Sequence, residues 1–180
     1  MKTKKLTNPG ILVGTKVLVG DKKLKSFLKE KGFGEEEKKT LSSRIELSLI
    51  EALFLIENKK LEVIRNDKKL TFEDLVKIGE SLEKNFYEKF LVFRDLRKRG
   101  LLVRTGFKFG ADFRVYERGA KIKSSHSKFL VHVIPEEYSC SFPELSRAVR
   151  LANSVNKKMV FAVVDEESNI TYYLVERIGM

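Results

Sequence analysis

The sequence predicts an α/β (α+β) chain in two parts. Residues 1–84 read as a mixed α/β domain, and residues 85–180 as an α/β domain whose mixed sheet is flanked by helices. Three observations lead there. Short apolar runs closed by Gly, Pro, Asn or Asp alternate with stretches of helical period. Near residue 85 the pattern changes, from strands and helices intermixed to strands interrupted by a single helix. The 180 residues are 42% hydrophobic and include 13 phenylalanines, enough for a real core and too apolar for a disordered chain. No repeat or low-complexity tract separates the parts, and their junction is not rich in Pro or Gly.

In chain order, ILVGTKVLVG reads as two short strands broken at Gly14. Asp21 then caps a helix with Leu24, Phe27 and Leu28 on one face, and Gly32 ends it. SRIELSLIEALFLIENKK reads as a brief polar strand entering an apolar helix with a stripe of Leu49, Leu53 and Ile56. KLEVIR is a strand. Thr71 offers an N-cap hydroxyl to TFEDLVKIGESL, whose early acids suit the helix dipole. A helix from about Asn85 to Arg99 carries Phe86, Phe90, Phe93 and Leu96 and stops at Gly100. LLVRTGFKFG, ADFRVYE, SKFLVHVIP, KMVFAVVD and ITYYLVER then read as strands. The helix FPELSRAVRLANSV interrupts them, with Pro143 suited to its first turn.

Charge narrows the partner. Lys and Arg number 36 against 25 Asp and Glu, a net charge of +11. Such a surplus favours a polyanion, most often nucleic acid, because each neutralised phosphate releases counterions. Cys140 is the single cysteine, which excludes an intramolecular disulfide and a cysteine-based zinc site. The basic N-terminus is not followed by an apolar stretch of signal-peptide length, and no apolar run approaches a membrane span. The expectation is a cytoplasmic protein with no membrane partner.

Both histidines lie in KIKSSHSKFLVHV. Six residues of extended chain would separate His126 from His132 by roughly 20 Å, too far for one ion, even with Asp112 or Glu117 nearby. No metal site and no cofactor is expected. His132 sits among apolar neighbours in FLVHVI and reads as a packed or locally bonded residue. His126 lies in the polar SSHS, where an ordinary imidazole suits proton transfer near neutral pH, although an idle surface histidine fits the same pattern. Metal-free cleavage of an RNA phosphodiester needs a base, an acid and a cation. His126 is a candidate acid. Tyr116, at the end of ADFRVYE, and Lys157, after LANSVN, are candidates for the other tasks; equally, they read as a rim aromatic and a helix C-terminal cation.

RDLRKRGLLVRTGFKFGADFRVYERG, SSHSKFLVHVI, LSRAVRLANSVNKKMVFAVVDEE and ITYY, in that order, resemble the archaeal tRNA-splicing endonucleases. LSLIEALFLIENKKLEV resembles the family's N-terminal half, so the likeness runs from about residue 40 to the end and is most specific from Phe90 to Tyr173. The resemblance implies an RNase that cuts precursor tRNA at both intron borders within a bulge-helix-bulge fold. It implies 2′,3′-cyclic phosphate and 5′-OH ends and no metal in the chemistry. It puts a Tyr-His-Lys triad on Tyr116 (general base), His126 (general acid) and Lys157 (transition-state cation), with Lys158 the adjacent alternative. It matches Arg150 to an arginine that stacks on a bulge base, with Arg177 a candidate second clamp. It also implies a homotetramer, rather than a simple homodimer, in which the acidic turn Asp165, Glu166, Glu167 docks on a neighbouring subunit. The rival reading is a non-catalytic RNA-binding or assembly subunit of the same fold, against which the presence of all three triad positions counts.

Overall fold

The computed structural model describes residues 9–37, 43–120 and 125–179. The basic run MKTKKLTN and Lys121–Ser124, the start of the histidine stretch, lie outside the described residues. The chain divides into two compact units, Met1–Phe86 and Tyr87–Met180.

In the first unit, β1 (Gly10–Val13) and β2 (Lys16–Val19) form a hairpin turned at Gly14. Helix α1 (Lys22–Lys31) starts where the Asp21 carboxylate accepts the Leu24 N–H at 2.7 Å, and ends at Gly32 in the left-handed region. Strand β3 (Glu35–Glu36) pairs with β4 (Ile45–Ser48), which runs into helix α2 (Leu49–Glu57). Ser48 and Glu51 close a reciprocal capping box at that junction, and the largely buried Glu51 also accepts the Gly34 N–H at 2.9 Å.

The expected stripe on α2 is corrected here. Ile50, Ala52 and Leu55 are buried with Leu49 and Leu53, while Ile56 is only half-buried. A helix this apolar is enclosed on most sides, so no single face carries the burial. Strands β5 (Val63–Arg65) and β6 (Lys68–Leu70) follow as a hairpin, with helix α3 (Phe72–Leu82) after it. The hairpin turns on Asn66 and Asp67, both at positive φ as a tight two-residue turn requires. The sheet order is β3-β4-β2-β1-β5-β6, with β1 and β5 the parallel pair.

Helix α4 (Phe86–Lys98) leads into the second unit. The strands are β7 (Leu102–Thr105), β8 (Phe113–Tyr116), β9 (Phe129–Pro135), β10 (Lys158–Val164) and β11 (Ile170–Val175). They form one sheet in the order β11-β10-β9-β8-β7. Helix α5 (Phe142–Ser154) crosses between β9 and β10, the parallel pair, and the other neighbours are antiparallel. Leu130, Met159 and Phe161 from the sheet and Val149 and Ala152 from α5 share one buried cluster.

LLVRTGFKFG does not continue as a strand. Pairing stops at Thr105, and Phe107–Phe109 form a turn of 3-10 helix. Gly106 explains the break: a Cβ there would lie 2.7 Å from the Ala111 carbonyl oxygen, so only glycine lets the backbone close so tightly.

Candidate active site

The strand directions gather the three candidate positions at one edge of the second sheet. Because β8 runs antiparallel to β9, its last residue, Tyr116, arrives where β9 begins. Because β10 runs parallel to β9, it begins at that edge as well. Val115 stands opposite Phe129, and Phe129 opposite Lys158. Two backbone bonds extend the ladder outward: Lys128 N–H to the Val115 carbonyl at 2.9 Å, and Lys158 N–H to the Lys128 carbonyl at 3.0 Å. His126 lies in the short segment entering β9 and is exposed. Tyr116 is only 4% exposed.

Lys157 is held by the way α5 ends. Asn156 takes a left-handed conformation, its N–H bonds the Asn153 carbonyl, and the Lys157 N–H reaches back to the Ala152 carbonyl at 2.8 Å. This is a Schellman closure with asparagine in the left-handed position, and it fixes the backbone of Lys157 before β10 starts. The Lys157 ammonium then donates to the carbonyl of buried Ser127 at 3.0 Å, one residue from His126. So the lysine and the histidine-bearing segment are tied directly together. Lys158 is engaged differently: its ammonium pairs with Glu176 at 2.6 Å, about half exposed. Lys128, Asn153, Asn156, Lys157, Lys158 and Glu176 line an open basin of about 530 Å³ beside this edge.

The local electrostatics are cationic. Partial burial, and then the nearby Arg114 guanidinium, push the Lys157 ammonium below the ordinary lysine value. The Lys157 ammonium stands 5.5 Å from the Phe109 ring centre, and the Arg114 guanidinium carbon 5.8 Å from the same ring. Arg114 and Tyr116 are alternate residues of β8 and so share a face. Reading the sequence missed Arg114 and Phe109. The i, i+2 relation of Arg114 to Tyr116 was a usable signal; the role of Phe109 depends on the 3-10 turn.

His132 belongs to another environment. Its Nδ1 lies 3.7 Å from Asp112 Oδ2, and its ring stacks on Phe161 at 5.8 Å between centroids. Asp112 also accepts from the Val133 N–H and the Lys89 ammonium, each at 2.8 Å. Burial raises the Asp112 carboxyl, but His132, Lys89 and the Val133 amide outweigh it and hold it below the ordinary carboxylate range. Asp112 is thus committed to the fold. Among the described residues, no three His, Cys, Asp or Glu gather as a metal would require, and no helix is long and apolar enough to cross a membrane.

The remaining candidates divide between the two ends of the sheet: β11 ends beside the start of β10, with Val175 opposite Met159, whereas the turn from β10 to β11 lies at the far end. Arg150 is exposed about one turn before the end of α5, and Arg177 is exposed beyond β11. Asp165, Glu166 and Glu167 form the turn from β10 to β11. There Asp165 accepts the Asn169 N–H at 2.7 Å and Ser168 adopts positive φ, leaving Glu166 and Glu167 exposed at the tip.

Comparison with known proteins agrees along the length of the chain. Residues 86–172 match the family described as tRNA intron endonuclease, catalytic C-terminal domain, and residues 9–76 match its N-terminal domain. A tRNA-splicing endonuclease of Methanothermobacter thermautotrophicus is 45% identical over 138 residues, covering 77% of this chain and 80% of that protein. One of Thermococcus gammatolerans is 44% identical over 138 residues, with the same coverage of 77% and 80%. One of Methanococcus vannielii is 42% identical over 176 residues, covering 96% of each.

Proposed function

The chain belongs to the tRNA intron endonuclease family and is an endonuclease of tRNA splicing; from that premise we propose that it cuts precursor tRNA at both intron boundaries in a bulge-helix-bulge motif, by metal-independent transesterification. Tyr116 takes the proton of the 2′-OH, and the freed oxygen attacks the adjacent phosphorus. His126 gives a proton to the departing 5′-oxygen. Lys157 steadies the negative charge that builds on the phosphoryl oxygens between these events. The products are a 2′,3′-cyclic phosphate and a 5′-OH. Base, acid and cation are all side chains, so the sequence of bond changes closes without an added ion.

The observation that carries this reading is the register of β8, β9 and β10, which brings three residue types suited to the three tasks to one sheet edge. The bond from Lys157 to the Ser127 carbonyl favours Lys157 over Lys158, whose charge is answered by Glu176. Arg150 stacks on an unpaired bulge base, the usual way a guanidinium reads a splayed nucleotide, and Arg177 is the candidate second clamp. The chain acts in the cytoplasm as a homotetramer in which the Asp165–Glu167 turn docks on a neighbouring subunit.

The test is incubation of a bulge-helix-bulge precursor tRNA with the protein in excess EDTA, followed by analysis of the RNA ends. Cleavage at both borders with cyclic phosphate ends is expected. Loss of cleavage in EDTA, or 5′-phosphate ends, would refute the chemistry.

A further inference from the structure

Beside the proposed triad, a second cation stands without a counter-charge among the described residues. Arg114 is half-buried on β8, its Nε buried and without a hydrogen-bond partner. Neither Arg114 nor Lys157 forms a salt bridge among the described residues; Arg114 lies against the Phe109 ring, as does Lys157. The turn that sets Phe109 against both cations depends on Gly106, where any side chain would strike backbone. The cationic pair is therefore built into the fold, not a chance meeting of mobile surface side chains.

We propose that Arg114 is a phosphate-binding residue: its guanidinium grips a backbone phosphate of the RNA beside the cleaved bond and so positions that bond between Tyr116 and Lys157. The inference rests on the endonuclease reading given above. The chemistry suits the ligand. A guanidinium presents parallel N–H groups that match two phosphate oxygens, and an arriving anion answers both the unmet donor and the adjacent positive charges of Arg114 and Lys157. Because Arg114 and Tyr116 project from one face two residues apart, a phosphate held by the first falls within one nucleotide's reach of the second. Phe109 stays packed against both cations. Lys157 then needs to meet only the phosphoryl group that reacts.

Equilibrium binding to a precursor tRNA lacking the 2′-oxygens at both cleavage sites measures this without turnover. Arg114→Met is expected to weaken binding by on the order of ten- to hundredfold. It should also lower the slope of log affinity against log salt by about 0.7–0.9, the signature of one lost phosphate contact. Arg114→Lys keeps the charge but not the planar fork; it should restore the slope yet cleave intact precursor more slowly in single turnover. A folded Arg114→Met with wild-type affinity and slope overturns the proposal. Should Arg114→Met fail to fold, Arg114→Lys decides, and wild-type cleavage by it overturns the positioning role. The wild-type chain is assayed alongside on intact precursor. Its failure to cleave would sink the endonuclease reading itself, whereas wild-type cleavage with indifferent Arg114 variants sinks only this inference.

Discussion

At the scale of the residue, the two histidines differ in what surrounds them. His126 is exposed at the edge where β8, β9 and β10 meet, whereas His132 is held between Asp112 and Phe161. His126→Ala is expected to slow single-turnover cleavage by roughly 10²–10⁴-fold, the usual size of a general-acid contribution, with RNA affinity kept. His132→Ala should lower the melting temperature and leave the cleavage rate of the folded protein nearly unchanged; the reverse pattern would exchange their roles. Lys157 gives a second prediction. Partial burial and Arg114 lower its pKa, so its cation is lost on raising the pH through a value below the ordinary 10.5. The charged form is the one disfavoured in the fold. Its strain is therefore present at neutral pH and relieved as the pH rises through the folded value. Titration of the Lys157 ¹³Cε signal should show a midpoint below 10.5, and Arg114→Met should raise it. A midpoint at or above 10.5 contradicts the environment described.

At the scale of the element, the site depends on how α5 ends. Asn156 holds the left-handed position that lets Lys157 turn back onto Ala152 and reach Ser127. Asn156→Ala should cost about 1–2 kcal/mol in stability and slow cleavage further by loosening Lys157, while Asn156→Gly should keep both. Equal stability for Ala and Gly in thermal unfolding would show that the conformation is not the determinant. This level also separates what the sequence made legible from what it did not. The long elements were readable because apolar period, caps and glycine stops agree: Asp21 and Gly32 bracket α1, and Thr71 opens α3. β3 and β6, two and three residues long, are too short to carry a period. The 3-10 turn hid in LLVRTGFKFG because alternating apolar residues suggest a strand, while the close backbone approach at Gly106 is a tertiary fact. Tyr116 and Lys157 could be nominated from chain position alone. Their convergence required the strand order, since 41 residues separate them in the sequence.

At the scale of the whole molecule, the surplus of 11 positive charges suits a polyanionic substrate, and the acidic turn is a local exception to it. Asp165 is spent on closing that turn through Asn169, but Glu166 and Glu167 project at its tip. Glu166→Lys with Glu167→Lys should therefore leave each chain folded while reducing the proposed tetramer to smaller species in light scattering. An unchanged mass would remove the turn from the interface. In the proposed mechanism the chain cleaves RNA with its own side chains by using the substrate's 2′-oxygen. The most direct measurement is cleavage, in EDTA, of a precursor tRNA with a single 2′-deoxy substitution at one intron border. Cutting is expected only at the unmodified border, leaving a cyclic phosphate there; equal cutting at both borders would show that the 2′-oxygen is not the nucleophile.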